Sequence, residues 1–139
     1  PFLPKYARKF KIFIFHRTLF TTTVAKLVEK IKKLGKEIIF ETDDLVFDSK
    51  YVKYTDYYQK KMNALERKQY EKGLGEEILK DPYVKVCTTT TPFLAKILEG
   101  YGKKVFISRN KITWNPIYRF LFIFKIFIKF INNWYNNQG

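Results

Sequence analysis

Glu37-Ile38-Ile39-Phe40-Glu41-Thr42-Asp43-Asp44-Leu45-Val46-Phe47-Asp48 is the stretch whose reading decides the fold of this chain. It opens as a short apolar run of β-forming residues and closes in clustered acids. A run of that length, bounded by turn-like residues, reads as a buried strand. In an open parallel sheet, ligands sit in the crevice beyond the carboxyl ends of the strands. Glu41, Asp43 and Asp44 stand at that edge.

Upstream, Phe10 to Phe15 is a second strand, ending at His16-Arg17-Thr18. Thr21-Thr22-Thr23 offers N-cap hydroxyls. Val24, Leu27, Val28, Ile31 and Leu34 follow at helical spacing with lysines between them, and Gly35 fits the C-cap. Downstream, the spacing predicts one longer helix from about Tyr58 to Lys72 and a shorter one from about Gly75 to Lys80. Asp81-Pro82 breaks the pattern. Tyr83-Val84-Lys85-Val86-Cys87 is a third strand, running into Thr88-Thr89-Thr90-Thr91-Pro92. Threonine as N-cap with proline at the first helical position starts a helix. Phe93, Leu94, Ile97 and Leu98 form its apolar face, and Gly100 and Gly102 end it. Lys104 to Ser108 is a fourth strand, followed by Arg109-Asn110.

Strands alternating with helices through short links predict right-handed βαβ crossovers and a parallel sheet of about four strands. The fold class is therefore α/β. One edge then collects His16, Arg17, Glu41, Asp43, Asp44, Thr88, Thr89, Thr90, Thr91 and Asn110.

The 139 residues leave room for one domain with a real core, and 46% hydrophobic residues exclude a disordered chain. Lys and Arg number 27 against 13 Asp and Glu, a formal net charge of +14. Such a balance favours anionic partners: nucleic acid, an anionic membrane surface or phosphorylated substrates. The single Cys87 excludes an internal disulfide and fits a reduced core residue. One Cys and one His cannot build a zinc site, so no metal is expected.

Residues 117–131, Ile-Tyr-Arg-Phe-Leu-Phe-Ile-Phe-Lys-Ile-Phe-Ile-Lys-Phe-Ile, differ from the rest. At about 1.5 Å per residue they are too short to span about 30 Å of bilayer. On a helical wheel Arg119, Lys125, Lys129, Asn132 and Asn133 share an arc of roughly 140°, and most of the remainder is apolar. The expected element is an apolar, basic C-terminal helix over 113–139, suited to a membrane interface or to packing on the sheet domain.

Two segments carry a family resemblance. His16-Arg17, a helix ending in Leu-Gly-Lys and then Ile-Ile-Phe-Glu-Thr-Asp-Asp-Leu-Val-Phe-Asp form the first. Val86-Cys87-Thr88-Thr89-Thr90-Thr91-Pro92-Phe93-Leu94-Ala95, with Lys104-Val105-Phe106-Ile107-Ser108-Arg109-Asn110 after it, forms the second. Together, over roughly residues 10–112, they resemble the amino-terminal domain of bacterial GT-B glycosyltransferases that build surface polysaccharide and lipopolysaccharide. Arg109 stands where proline is usual in that family.

The resemblance implies a Rossmann-like, acceptor-side domain over residues 1–112. It implies a nucleotide-sugar donor as co-substrate, with no cofactor, and a glycan or lipid-linked acceptor. The donor-binding carboxy-terminal domain has no counterpart after Asn110, so the piece is expected to be inactive alone. The implied address is cytoplasmic, peripheral at the inner face of the cell membrane.

Glycosyl transfer needs a base for the acceptor hydroxyl and positive charge for the departing diphosphate. Asp43, Asp44 and His16 are the catalytic candidates. Arg17, Glu41, Thr88 to Thr91 and Asn110 are the substrate-binding ones. Each has a plainer alternative: a turn cap for the acids, a structural histidine, a salt-bridging arginine, a helix cap for the threonines. The rival class is a basic nucleic-acid-binding or membrane-surface module. It rests on charge and interspersed aromatics, and no helix-turn-helix, RRM or zinc-finger pattern appears, so no specific nucleic acid is expected. A receiver-like domain also has paired acids at a strand end, but Lys85 and Lys111 fit its geometry poorly.

Overall fold

The computed structural model describes residues 7–108 of the chain. Asn110 and the expected C-terminal helix over 113–139 lie outside the described residues. The element order is β1 (Ile12–His16), α1 (Thr22–Lys33), β2 (Glu37–Thr42), α2 (Ser49–Val52), α3 (Asp56–Lys60), α4 (Ala64–Tyr70), α5 (Glu76–Lys80), β3 (Val86–Thr89), α6 (Pro92–Glu99) and β4 (Lys104–Ile107). The fold is α/β, as the alternation of strand and helix signals predicts.

The four strands form one sheet in the order β1-β2-β3-β4, and every neighbouring pair is parallel. Register sets Phe15 against Phe40, Phe40 against Cys87 and Cys87 against Val105. Because side chains alternate across a strand, these residues share one face with Phe13, Ile38, Thr42 and Thr89. That face is buried. Phe13, Phe15, Ile38 and Phe40 join one core cluster with Leu27, Val28 and Ile31 of α1, Ile78 and Leu79 of α5, and Leu94 and Leu98 of α6. Phe40 meets Phe47 edge-on with ring centroids 5.8 Å apart, and Phe47 meets Tyr101 at 6.3 Å, the geometry aromatic quadrupoles favour.

The helix ends follow their caps. Thr21 Oγ1 accepts from Val24 N at the start of α1. Thr91 Oγ1 accepts from Leu94 N at the start of α6, where Pro92 occupies the first helical position. Gly35 follows α1 with φ of +63°.

Three sequence expectations shift. The single helix over 58–72 is two, α3 and α4. Asn63 breaks it by forming a reciprocal capping box: its side chain accepts from Glu66 N at 2.9 Å while Glu66 accepts from Asn63 N at 3.1 Å. Buried Met62 anchors the break. The first strand begins at Ile12 rather than Phe10. The third starts at Val86 rather than Tyr83, because Asp81 Oδ1 accepts from Tyr83 N and Asp81 O from Val84 N, curling residues 81–84 into a turn. Among the described residues no helix is long and apolar enough to cross a membrane.

Candidate functional site at the carboxyl edge of the sheet

β1 ends in His16 and hands over to Arg17, the only non-glycine described residue with positive φ, at 47°. A left-handed backbone at an arginine costs about 1–2 kcal/mol. What holds it there is charge. Arg17 Nε lies 3.1 Å from Asp43 Oδ1, and its Nη2 bonds Asp44 Oδ2. One guanidinium thus bridges both acids, which its planar fork suits. His16 Nε2 lies 3.9 Å from the same Asp43 Oδ1, an ion-pair distance rather than a hydrogen bond.

The acids are also built into a turn. Asp44 Oδ1 accepts from Val46 N at 3.1 Å, and Thr42 Oγ1 donates to Asp44 O at 2.7 Å. Asp48 accepts from Lys50 N at 2.8 Å and caps α2. The structure therefore brings His16, Arg17, Asp43 and Asp44 together and gives Asp44 a structural task as well.

The other candidates divide by the pleat. Register pairs His16 with Glu41, Glu41 with Thr88 and Thr88 with Phe106. Imidazole, carboxylate, hydroxyl and aromatic ring thus stand in one row on the face opposite the helices, with strands about 4.8 Å apart. Thr89 points the other way. It is 1% exposed, and its Oγ1 is buried with no hydrogen-bond partner among the described residues. Thr90 is half-buried, and the Thr91 hydroxyl caps α6. So the four threonines do not act as one cluster: two are strand residues on opposite faces and one is a helix cap.

Two clefts lie elsewhere, and none of the predicted site residues lines either. A cleft of about 350 Å³ is lined by Asp48, Tyr51, Glu76, Lys80, Ile97 and Tyr101 among others. There Tyr101 Oη donates to Asp48 Oδ2 at 2.8 Å. Burial pushes the Tyr101 phenol up, and the Asp48 carboxylate beside it pushes it further. Asp48 is 5% exposed. The sequence showed it only as the last acid of a run; its link to a tyrosine 53 residues away has no local signal. The second cleft, about 640 Å³ and wide open, is lined by Lys32, Asp81, Pro82, Tyr83 and Lys85. Thr18 was also missed: it is buried, and its hydroxyl donates to His16 O at 3.3 Å, holding the strand end.

Among the described residues no group of three or more His, Cys, Asp or Glu is placed to hold a metal ion. No protein-family model matches this chain, and no curated protein or solved structure shows significant similarity to it.

Proposed function

We propose that the carboxyl edge of the sheet is an acceptor site for a sugar-transferring enzyme of the GT-B type, with the nucleotide-sugar donor held by a separate domain. One observation carries this: His16, Arg17, Asp43 and Asp44 converge at the strand ends of a parallel sheet, where open α/β folds bind ligands. The family resemblance of the two sequence segments supports it.

In this proposal Asp43, whose side chain is 41% exposed, is the base that takes the proton from an acceptor hydroxyl. His16 Nε2 stands 3.9 Å from its Oδ1, and the other ring nitrogen, Nδ1, is buried. Arg17 keeps the two acids in place and puts positive charge beside the incoming group. Asp44 is assigned to the turn rather than to proton transfer. The chain's charge of +14 supports an anionic neighbour, and a membrane surface bearing the acceptor lipid is the one proposed.

The test is acceptor binding by the chain itself. Oligosaccharides of bacterial surface-glycan type are titrated while amide shifts are followed by NMR. Saturable shifts at Arg17, Asp43 and Asp44, weakened at least tenfold by Asp43→Asn, are expected. Binding that maps to the Asp48–Tyr101 cleft, or no binding at millimolar glycan, overturns the proposal.

A further inference from the structure

The sheet has two faces, and α1, α5 and α6 share one. α1, α5 and α6 all send buried residues into the cluster that contains Phe13, Phe15, Ile38 and Phe40. This follows from topology. When strands are added in the order β1-β2-β3-β4 through crossovers of one hand, every connection falls on the same side.

The opposite face carries Ile12, Ile14, Ile39, Val86 and Phe106, none of which belongs to that cluster. They adjoin one another: Ile14 pairs with Ile39 and Ile39 with Val86. Ile12 is 49% and Phe106 51% exposed on the two outer strands, whereas Ile14 is 9% exposed and Ile39 and Val86 are half-buried. All-parallel sheets are found almost only with both faces covered.

We propose that the chain's own carboxy-terminal segment, residues 113–139, docks on this face. Four features of the chain support that occupant over a second copy or a lipid surface. The segment follows β4, an edge strand of the sheet, after five residues. Residues 117–131 are almost wholly apolar; as a helix of about 22 Å they cover the roughly 14 Å between the outer strand axes. On a helical wheel Phe120, Phe124, Phe127 and Ile131 gather in one stripe, with Arg119 and Lys125 on its two flanks. Charge agrees too. Residues 109–139 contain no Asp or Glu, while the face presents Glu37 and Glu41 at the two ends of β2. Its own lysine, Lys104, is drawn over the Phe106 ring, 5.2 Å from the centroid.

Docking therefore buries the phenylalanine stripe on the isoleucines and leaves the basic arc outward. The lysine stems at its border reach the rim acids.

Zero-length carbodiimide cross-linking of the full chain at micromolar concentration tests this without a variant. Cross-links from Lys125 to Glu37 or Glu41 within the monomer are expected. The same links confined to a dimer band assign the face to a second copy and overturn the proposal. Links only to acids of the helix layer such as Glu71 and Glu99, or none at all, also overturn it. A second measurement uses full chains carrying Ile12→Cys, Phe106→Cys or, as control, Leu65→Cys. Phe124→Asp with Phe127→Asp is expected to speed maleimide labelling at the first two at least tenfold and leave the control unchanged. Unchanged rates at all three, or protection that appears only with anionic phosphatidylglycerol vesicles, overturn the proposal.

Discussion

Single residues decide more of this protein than their types suggest. Asp44 serves one bond to Val46 N and another to Arg17, so its removal affects turn and ion pair together. Gly73 is a sharper case. Its φ is +74°, and a Cβ there would stand 2.2 Å from the Phe47 carbonyl oxygen. Gly102 has nearly the same φ, +75°, with nothing within 4 Å. The pair separates two costs that usually come together. Gly102→Ala bears only the left-handed backbone, about 1 kcal/mol. Gly73→Ala adds a clash with backbone that cannot yield without opening the turn, and about 3 kcal/mol or more is expected. Urea midpoints for the two variants check the difference. Cys87 gives a second residue-level prediction. It is fully buried, and burial pushes its thiol up to about 11. Since the thiolate is the reactive form, alkylation by iodoacetamide at pH 8 is expected only in denaturant; modification of the folded protein at the rate of a free thiol would contradict the placement.

At the scale of elements, caps fix where helices start. The Thr91-Pro92 signal was legible in the sequence because both residues act locally: the hydroxyl on a backbone N–H three residues on, the ring on its own φ. Thr91→Ala is expected to cost about 1 kcal/mol, and Thr91→Ser to restore most of it. Thermal denaturation measures both. The same logic was available at Asn63-Ala64-Leu65-Glu66, a capping-box pattern hidden inside a run of helix formers. Helical propensity over residues 58–72 masks it in the sequence, whereas in the fold the box and buried Met62 together break the helix. The third strand was misplaced for a related reason. Tyr83 and Val84 have strand propensity, yet Asp81 draws their backbone into a turn, and the ladder with β2 takes Thr88 and Thr89 instead. Strand limits are set by the partner strand, which no local window contains.

For the molecule as a whole, long-range ties matter most. Lys32 of α1 reaches Asp81 at 2.9 Å, joining the first helix to the turn before β3. Burial alone would raise the Asp81 carboxyl, but bonds from Lys32 and Tyr83 N outweigh it and hold it below its ordinary 3.8. The hydrogen bond to Asp81, with a second to Glu29, raises Lys32 above 10.5. A lowered acid stabilises the fold above its unfolded value and loses that contribution as pH falls through its folded one. A raised lysine contributes fully below its unfolded value and loses that as pH climbs through its folded one. Asp81→Asn is therefore expected to cost about 1–2 kcal/mol between about pH 5 and pH 9. The gap to wild type should close below about pH 4. Parallel urea titrations at four pH values read this out; a gap independent of pH would assign the loss to packing.

The candidate site divides along the same line. That His16, Arg17, Asp43 and Asp44 share an edge was readable, because a parallel sheet returns every strand end to one side. That Arg17 bridges both acids, that Thr88 and Thr89 face opposite ways, and that Asp48 pairs with Tyr101 were not, since each depends on register or on a fold-distant partner.

What the amino-acid order determined alone is the alternation of strands and helices, the parallel sheet and the starts of α1, α5 and α6. These arise from periodicity and from hydrogen bonds spanning a few residues. Only the tertiary structure decided the strand order and the gathering of α1, α5 and α6 on one face of the sheet. Those rest on which strand lies beside which, a choice made by burial of the whole core rather than by any one segment.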